Sequence, residues 1–230
     1  MSTVIDLSQE IYQGMPVFHG HLKTVIWDHV THEETAKTLE KGYSYQSRGL
    51  LMCDHGPTHV DAINHIDTSP DAPSIEKMPL ETFFGPAICL DVSKYPEGSL
   101  MGPEVIREAE NKAKLPIEPN DIVLFHTGHY GRHYPTPDYL CGHSGFSGEA
   151  AEYLIVEKKI KNWGVDSPSP DRYGDPSFPV HLVYRKTWVP HMENLCNLDK
   201  VIGKRFMFYG FPLRIRNGTG SPIRAVAVLD

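Results

Sequence analysis

Hydrophobic residues fall into short runs separated by polar segments rich in glycine and proline, a pattern that predicts an α/β domain. Two uninterrupted apolar runs, at 87–92 and 122–125, are typical of strands buried on both faces. Other strands are predicted at 4–7, 24–30, 43–53, 163–166, 205–211 and 223–229. Helices are predicted at 103–114, which begins with a proline, and at 147–161, where a serine can cap the first turn. Because strand, helix and strand alternate, we expect a mixed sheet with some parallel pairing.

Length and charge narrow the possibilities. The 230 residues suffice for a core and contain no linker-like segment, so we expect one domain over residues 1–230. The net charge of −7 is spread without a basic block, which argues against nucleic acid or a membrane surface and favours a small-molecule partner. No apolar run could span a membrane and the N-terminus does not resemble a signal peptide, so a cytoplasmic protein is expected. Four widely spaced cysteines are expected to be free thiols.

The strongest chemical signal is a cluster of ligand-type side chains in residues 54–67. His55, His59, Asp61 and His65 follow one another at intervals of four, two and four. A turn that passes from extended into helical backbone would aim the first three inwards together, because extended backbone repeats every two residues and helix about every four. Two imidazoles and a carboxylate are suitable ligands for Zn(II), Mn(II) or Fe(II). The cluster therefore predicts a divalent metal site.

The sequence allows three interpretations of this site. A catalytic metal needs ligands that leave a coordination position for water, which His55, His59 and Asp61 would do, with His65 as a nearby base or acid. Alternatively, His59, Asp61 and a distant histidine such as His126 could form the ligand triad of a non-haem iron oxygenase. The ion could also be structural, in a non-enzymatic binding domain.

A second histidine-rich stretch occupies residues 126–143. It is aromatic and glycine-rich without a helical or strand periodicity, as in loops that line pockets. His126, His129, His133 and His143 are each expected to be structural more often than catalytic.

The motif His55-Gly-Pro-Thr-His59-Val-Asp61-Ala-Ile-Asn-His65 resembles that of the cyclase-like metal-dependent amidohydrolases, the family of bacterial kynurenine formamidase and isatin hydrolase. Their pattern is His-x-Gly-Thr-His-x-Asp-x-Pro-x-His, so the four functional positions match while Pro57 and Ile63 depart from it. Further likeness is found in residues 5–8, 14–17, 164–169 and 220–224. The resemblance implies a swivelling β/β/α-type domain with a mixed sheet, assembled as a homodimer or homotetramer.

The resemblance also implies a second metal position and a reaction. His181 and Glu193 have the separation of the family's further ligands, so one or two ions, Zn(II) or Mn(II), would be held with Asp61 between them. Because twelve helical residues span about 18 Å, the chain must fold back between His181 and Glu193. Metal-activated water would attack an amide carbonyl, of an aryl formamide or a cyclic amide such as isatin, and His65 would carry the proton to the leaving nitrogen.

Aromatic side chains early in the chain are candidates for stacking on a planar substrate. Phe18, Trp27 and Tyr43 are predicted to bind it, with Tyr45 a further candidate. His19 and His21 stand where many members of the family have a proline and an acidic residue, which implies a specificity different from that of an unmodified kynurenine formamidase.

Overall fold

The computed structural model describes residues 2–229. Thirteen strands are present in this part of the chain: β1 (Thr3–Asp6), β2 (Val25–Val30), β3 (Ser47–Leu51), β4 (His59–Asp61), β5 (Phe84–Asp91), β6 (Leu100–Met101), β7 (Ile122–His126), β8 (Gly145–Phe146), β9 (Asn162–Val165), β10 (His191–Glu193), β11 (Arg205–Tyr209), β12 (Gly220–Pro222) and β13 (Val226–Leu229). The α-helices in the same range are α1 (His32–Ala36), α2 (Pro103–Ala113), α3 (His129–His133), α4 (Gly148–Glu152) and α5 (Pro179–Thr187).

Nine of these strands form one mixed sheet in the order β1-β13-β11-β5-β7-β9-β10-β4-β12. The strands β5, β7, β9 and β10 are parallel to one another, whereas the strands outside them pair antiparallel. The mixed α/β sheet that the hydrophobic pattern predicted is therefore confirmed.

The sheet separates two hydrophobic cores, which explains the uninterrupted apolar runs. In β7, Ile122 and Leu124 pack into one core while Val123 and Phe125 pack into the other, because successive side chains of a strand point to opposite faces. The second core also receives the apolar faces of α2 and α4. A strand buried on both faces has no polar side to expose.

Several boundaries differ from the prediction. The strand predicted at 43–53 is confined to Ser47–Leu51, and the helix predicted at 147–161 is α-helical only to Glu152 before a π-helical turn at Tyr153–Glu157. Ser147 does cap this helix, since its hydroxyl accepts a hydrogen bond from the Ala150 amide at 3.2 Å. The hydrophobic pattern did not predict the three-residue strands β4, β10 and β12 at all. They are too short to show a period of their own.

A separate two-stranded hairpin is formed by β2 and β3. Its helical connection begins at Thr31, whose side chain and that of Glu34 form a capping box. Within residues 2–229, no helix is long and apolar enough to cross a membrane.

Candidate metal centre

Two short neighbouring strands supply four polar side chains to one face of the sheet. His59 and Asp61 are two residues apart on β4, and His191 and Glu193 are two residues apart on β10, so each pair shares a face. The strands are antiparallel, with Glu193 opposite His59 and Met192 opposite Val60. This register places each histidine across from the other strand's carboxylate.

His55 reaches the same point from the loop before β4. Its Nδ1 lies 2.8 Å from Asp61 Oδ1, and its Nε2 lies 3.0 Å from the Thr219 hydroxyl. Gly220 on β12 makes room for the ring, because a Cβ atom there would lie 2.8 Å from His55 Cε1. A larger residue at position 220 would displace the imidazole.

His181 comes from the first turn of α5. The Asp171 carboxylate accepts a hydrogen bond from the Val180 amide at 2.7 Å and also binds His181 Nδ1, which fixes both the helix start and the ring. His181 Nε2 then lies 3.7 Å from Asp61 Oδ2. The helix ends at Thr187, and Trp188 has a left-handed backbone with φ of 57°, so the chain folds back into β10. Glu193 is thereby brought to the same centre as His181.

In three of the histidine rings, the nitrogen that points away from Asp61 and Glu193 donates a hydrogen bond. The other nitrogen, which faces these carboxylates, then carries a lone pair. His59 Nδ1 donates to the Pro57 carbonyl at 2.9 Å, and His181 Nδ1 donates to Asp171. For His55, the Thr219 hydroxyl donates to Asp54 Oδ2 at 2.9 Å, so it can only accept from His55 Nε2. Each neutral ring therefore turns an acceptor nitrogen toward Asp61 or Glu193, which is unfavourable unless a cation lies between them.

The pKa values at the centre show the same need for positive charge. Burial disfavours charged histidine, yet a hydrogen bond that His59 donates to Asp61, together with the charge of Glu193, raises the pKa of His59 to about 9. Burial is likewise outweighed at His181, where Asp171 and Asp61 raise the pKa to about 10. The pKa of Asp61 is held well below its ordinary value, despite burial, by the four surrounding imidazoles.

The donor set fits a divalent transition-metal ion. Imidazole nitrogen and carboxylate oxygen are its usual ligands in proteins, and metal binding displaces the protons that the histidines would otherwise hold. One ligand atom from each of Asp61, His181, His191 and Glu193 lies within 4.8 Å of the others, and the same holds for His55, Asp61 and His65. His59 Nε2 lies 3.3 Å from Asp61 Oδ1, so the five sequence-predicted ligands are brought together: His55, His59, Asp61, His181 and Glu193.

His65 stands beside this centre and lines a cavity of about 420 Å³. Its ring centroid is 4.1 Å from that of His55 and 6.3 Å from that of His181. The ring is open to the cavity, but the surrounding walls desolvate it and lower its pKa to about 4, which His55 reinforces. His65 is therefore neutral near pH 7 and can accept a proton.

The cavity wall contains only one of the three aromatic residues predicted to bind substrate. Phe18 lines it, together with the apolar residues Val17, Leu140, Phe178 and Leu182. Trp27 lies on β2 and Tyr43 precedes β3, where their exposed fractions are 48% and 62%, and the structure does not bring either to the cavity of this chain. Alternation along a hairpin does not reveal which of its faces meets a pocket.

Of the two early histidines, His21 reaches the cavity. Its ring centroid lies 5.5 Å from that of His55, and it lines the cavity wall, which His19 does not. A histidine at this position adds a polar group to an otherwise apolar side of the cavity.

His126 is not part of the centre. It closes β7, and its Nδ1 lies 3.4 Å from Asp91 Oδ1. His126 therefore does not complete the triad with His59 and Asp61 that was considered for an iron oxygenase.

Sequence reasoning missed three residues of the centre: His191, Asp171 and Thr219. A local signal existed for His191, because His191-Met192-Glu193 repeats the spacing of His59-Val60-Asp61. Asp171 and Thr219 act through histidines distant in sequence, so no local pattern marks them.

Comparison with known proteins gives the centre a context. The Cyclase family model matches residues 5–172. Kynurenine formamidase of Bacillus mycoides (strain KBAB4) is 28% identical over 222 residues, or 96% of this chain and 95% of the relative. Isatin hydrolase of Roseibium aggregatum is 29% identical over 197 residues, or 78% of this chain and 73% of the relative.

Solved structures share the fold over nearly the whole chain. Isatin hydrolase A from Labrenzia aggregata, bound to benzyl benzoate, has a TM-score of 0.85 at 26% identity and covers 99% of this chain and 94% of its own. An isatin hydrolase bound to the product analogue thioisatinate has a TM-score of 0.83 at 25% identity, covering 99% of this chain and 92% of its own.

Proposed function

Since the chain belongs to the cyclase family and is a metal-dependent amidohydrolase, we propose that it hydrolyses an amide whose nitrogen is attached to an aromatic ring. Such substrates include aryl formamides and cyclic amides of the isatin type, which the names of its relatives share as a chemical class. The observation that carries the proposal is the convergence of His55, His59 and Asp61 beside an apolar cavity.

We propose that Zn(II) or Mn(II), one or two per chain, is held by His55, His59 and Asp61 and by Asp61, His181 and Glu193. A divalent ion bound there would polarise an amide carbonyl and make coordinated water more acidic. Polar groups around the rings do the orienting: the Pro57 carbonyl, the Thr219 hydroxyl and the Asp171 carboxylate hold the far nitrogens of the histidines, which keeps the near nitrogens aimed at one point.

His65 is the proposed proton carrier. Because its pKa of about 4 leaves it neutral at pH 7, it can take a proton from the attacking water and pass it to the leaving nitrogen. It lines the cavity next to His55, so it borders the space that a bound substrate would occupy.

The cavity supplies binding for the aromatic part. Phe18 and Phe178 border it and offer faces for a planar ring, while Leu140 and Leu182 exclude water around it. Its volume of about 420 Å³ suits a small aryl amide rather than a polymer.

The test combines metal analysis with hydrolysis. Chelator-free protein should contain one or two divalent ions per chain. It should remove the formyl group of N-formylkynurenine or open the ring of isatin. Removal of the metal should abolish the activity, and Zn(II) or Mn(II) should restore it. If metal-loaded protein cleaves neither these substrates nor formanilide, the proposed reaction is wrong even if the ion binds.

A further inference from the structure

The two strands of the centre carry the same short motif in opposite directions. His59-Val60-Asp61 on β4 faces His191-Met192-Glu193 on β10, and the antiparallel register relates one motif to the other by a local two-fold rotation. Under this rotation His59 corresponds to His191, and Asp61 corresponds to Glu193. If the rotation holds for the side chains, His191 should lie at the same distances from the two carboxylates as His59.

The distances obey this relation. His59 Nε2 lies 3.3 Å from Asp61 Oδ1 on its own strand and 3.4 Å from Glu193 Oε2 across the pair. His191 Nε2 lies 3.2 Å from Glu193 Oε1 on its own strand and 3.3 Å from Asp61 Oδ2 across the pair. Each histidine thus faces one oxygen of both carboxylates, and the two histidines use different oxygens.

These separations are those of ligands around a shared ion. Two donors that each lie about 2.1 Å from a tetrahedral ion are about 3.4 Å apart. The hydrogen bonds on the outer side of the rings are shorter, at 2.9 Å for His59 to Pro57 and 3.0 Å for His55 to Thr219. The distances from His191 to both carboxylates therefore fit a shared ion, and the 3.2 Å contact with Glu193 Oε1 also fits a hydrogen bond, so the substitutions described below distinguish the two.

We propose that His191 is a metal ligand that completes an inner site with Asp61, His181 and Glu193. The inference rests on the proposed function only in requiring that the centre binds divalent ions. Four protein donors fill a tetrahedral shell, as in structural zinc sites, whereas a catalytic site keeps one position open. The inner ion is then held permanently, and the ion bound by His55, His59 and Asp61 is the exchangeable, catalytic one.

The surroundings of His191 agree with a fixed ligand. The residue is 0% exposed and its ring is enclosed by those of Trp163, Tyr184 and His181, with centroids 6.2, 5.2 and 4.7 Å away. Among the described residues, its Nδ1 has no hydrogen-bond partner, and neither has the buried hydroxyl of Tyr184. The ring of His191 is therefore held by packing on its outer side, not by a hydrogen bond.

Graded chelation with metal analysis tests the assignment. Fully Zn(II)-loaded wild-type protein should lose one ion per chain at low EDTA and retain the second to a chelator concentration at least about tenfold higher. His191→Leu should abolish this separation and release both ions at low EDTA. His133→Gln, a histidine outside the centre, serves as the matched control and should behave as wild type.

A second variant separates a ligand from a residue that only positions the carboxylates. His191→Gln keeps an N–H donor at the same reach, so it would restore retention of the inner ion if His191 merely hydrogen-bonded to Asp61 and Glu193. Under the proposal it does not. Unfolding of each variant in excess Zn(II) shows that it is folded, and Co(II)-substituted protein should lose intensity between about 500 and 650 nm when the four-coordinate site is broken.

Retention of both ions by His191→Gln or His191→Leu with wild-type dependence on EDTA would overturn the assignment, as would a wild-type protein that binds a single ion. The readout uses no substrate. If the protein does not hydrolyse the proposed substrates but still releases its metal in two steps, the proposed reaction is wrong. The assignment of His191 as a ligand then still stands.

Discussion

Two concentrations of histidine in residues 2–229 differ in how their side chains are arranged. In the first, His55, His59, His181 and His191 surround two carboxylates, of which Asp61 is 1% exposed and Glu193 8%. In the second, at residues 126–143, the histidines bind separate partners: His129 donates to the Tyr139 carbonyl at 2.7 Å, and His143 Nδ1 lies 3.4 Å from the Ser144 carbonyl oxygen. The two segments 55–65 and 126–143 are both rich in histidine, but only the histidines of the first converge on shared buried carboxylates.

The difference lies in the carboxylates. Glu97 lies close enough to His129 and His133 to share an ion with them. However, its side chain is 42% exposed and already binds the Arg132 guanidinium at 2.6 Å. Asp61 has no lysine or arginine partner among the ion pairs of residues 2–229, and its ion-pair partners there are all imidazoles. A buried carboxylate that has no permanent cation beside it is what creates a demand for metal.

Removing that carboxylate's charge should have the largest effect. In Asp61→Asn we expect metal content to fall to near zero and hydrolysis to fall by at least about a thousandfold, because metal catalysis supplies several kcal/mol of transition-state stabilisation. Mass spectrometry of metal content and kcat measure the two effects. Asp91→Asn, a carboxylate paired with Lys112 at 2.9 Å, is the matched control and should keep its metal. Full metal content in Asp61→Asn would remove this residue from the centre.

His65 should separate catalysis from metal binding. His65→Ala is expected to keep the metal content of the wild type while kcat falls by about 10²–10⁴-fold, the usual contribution of a general acid or base. Because the pKa of His65 is about 4, it is already neutral at pH 7 and should limit activity only as the pH falls toward 4. Unchanged kcat in the variant would exclude His65 from the reaction.

How much of this could be predicted from the sequence depends on how local each feature is. The strands β5 and β7 follow from uninterrupted apolar runs, and the group from His55 to His65 follows from its spacing and its family resemblance. In the structure that segment is a strand followed by a 3-10 turn at Ile63–His65. Both features are contained within a few residues.

What could not be predicted depends on pairing between distant segments. The position of His191 opposite Asp61 is set by the register of β4 on β10, which are three residues long and 130 residues apart. Likewise, Trp27 was predicted from its aromatic type alone, and the packing of the β2–β3 hairpin decides that it does not face the cavity. Register and packing are tertiary properties that no local pattern contains.

The second histidine group should respond to pH through stability instead of activity. Burial, reinforced by His129, lowers the pKa of His143 to about 4, against about 6.5 in the unfolded chain. The unfolded state therefore binds more protons between these values, so this residue costs stability as the pH falls from 6.5 to 4, by at most about 3 kcal/mol. His143→Gln should flatten the fall in free energy of unfolding over that range, measured by urea denaturation. A slope identical to that of the wild type would show that His143 does not titrate in this way.

The smallest effect is expected at His133, and it tests the comparison most directly. His133 Nε2 lies 2.6 Å from Glu97 Oε1, close enough for the two to share an ion, yet Arg132 already supplies the positive charge that Glu97 needs. His133→Gln should leave metal content and kcat unchanged, and because the pair is exposed, stability should change by less than about 1 kcal/mol. An Arg132→Gln variant sharpens the argument, since it removes the competing cation but leaves Glu97, His129 and His133 in place. If wild-type protein loses an ion when His133 is replaced, a permanent arginine partner does not prevent metal binding. Alternatively, the Arg132→Gln protein gains an ion that the wild type lacks, and adding His133→Gln to it removes that ion. The absence of a fixed cation is then what distinguishes the two regions.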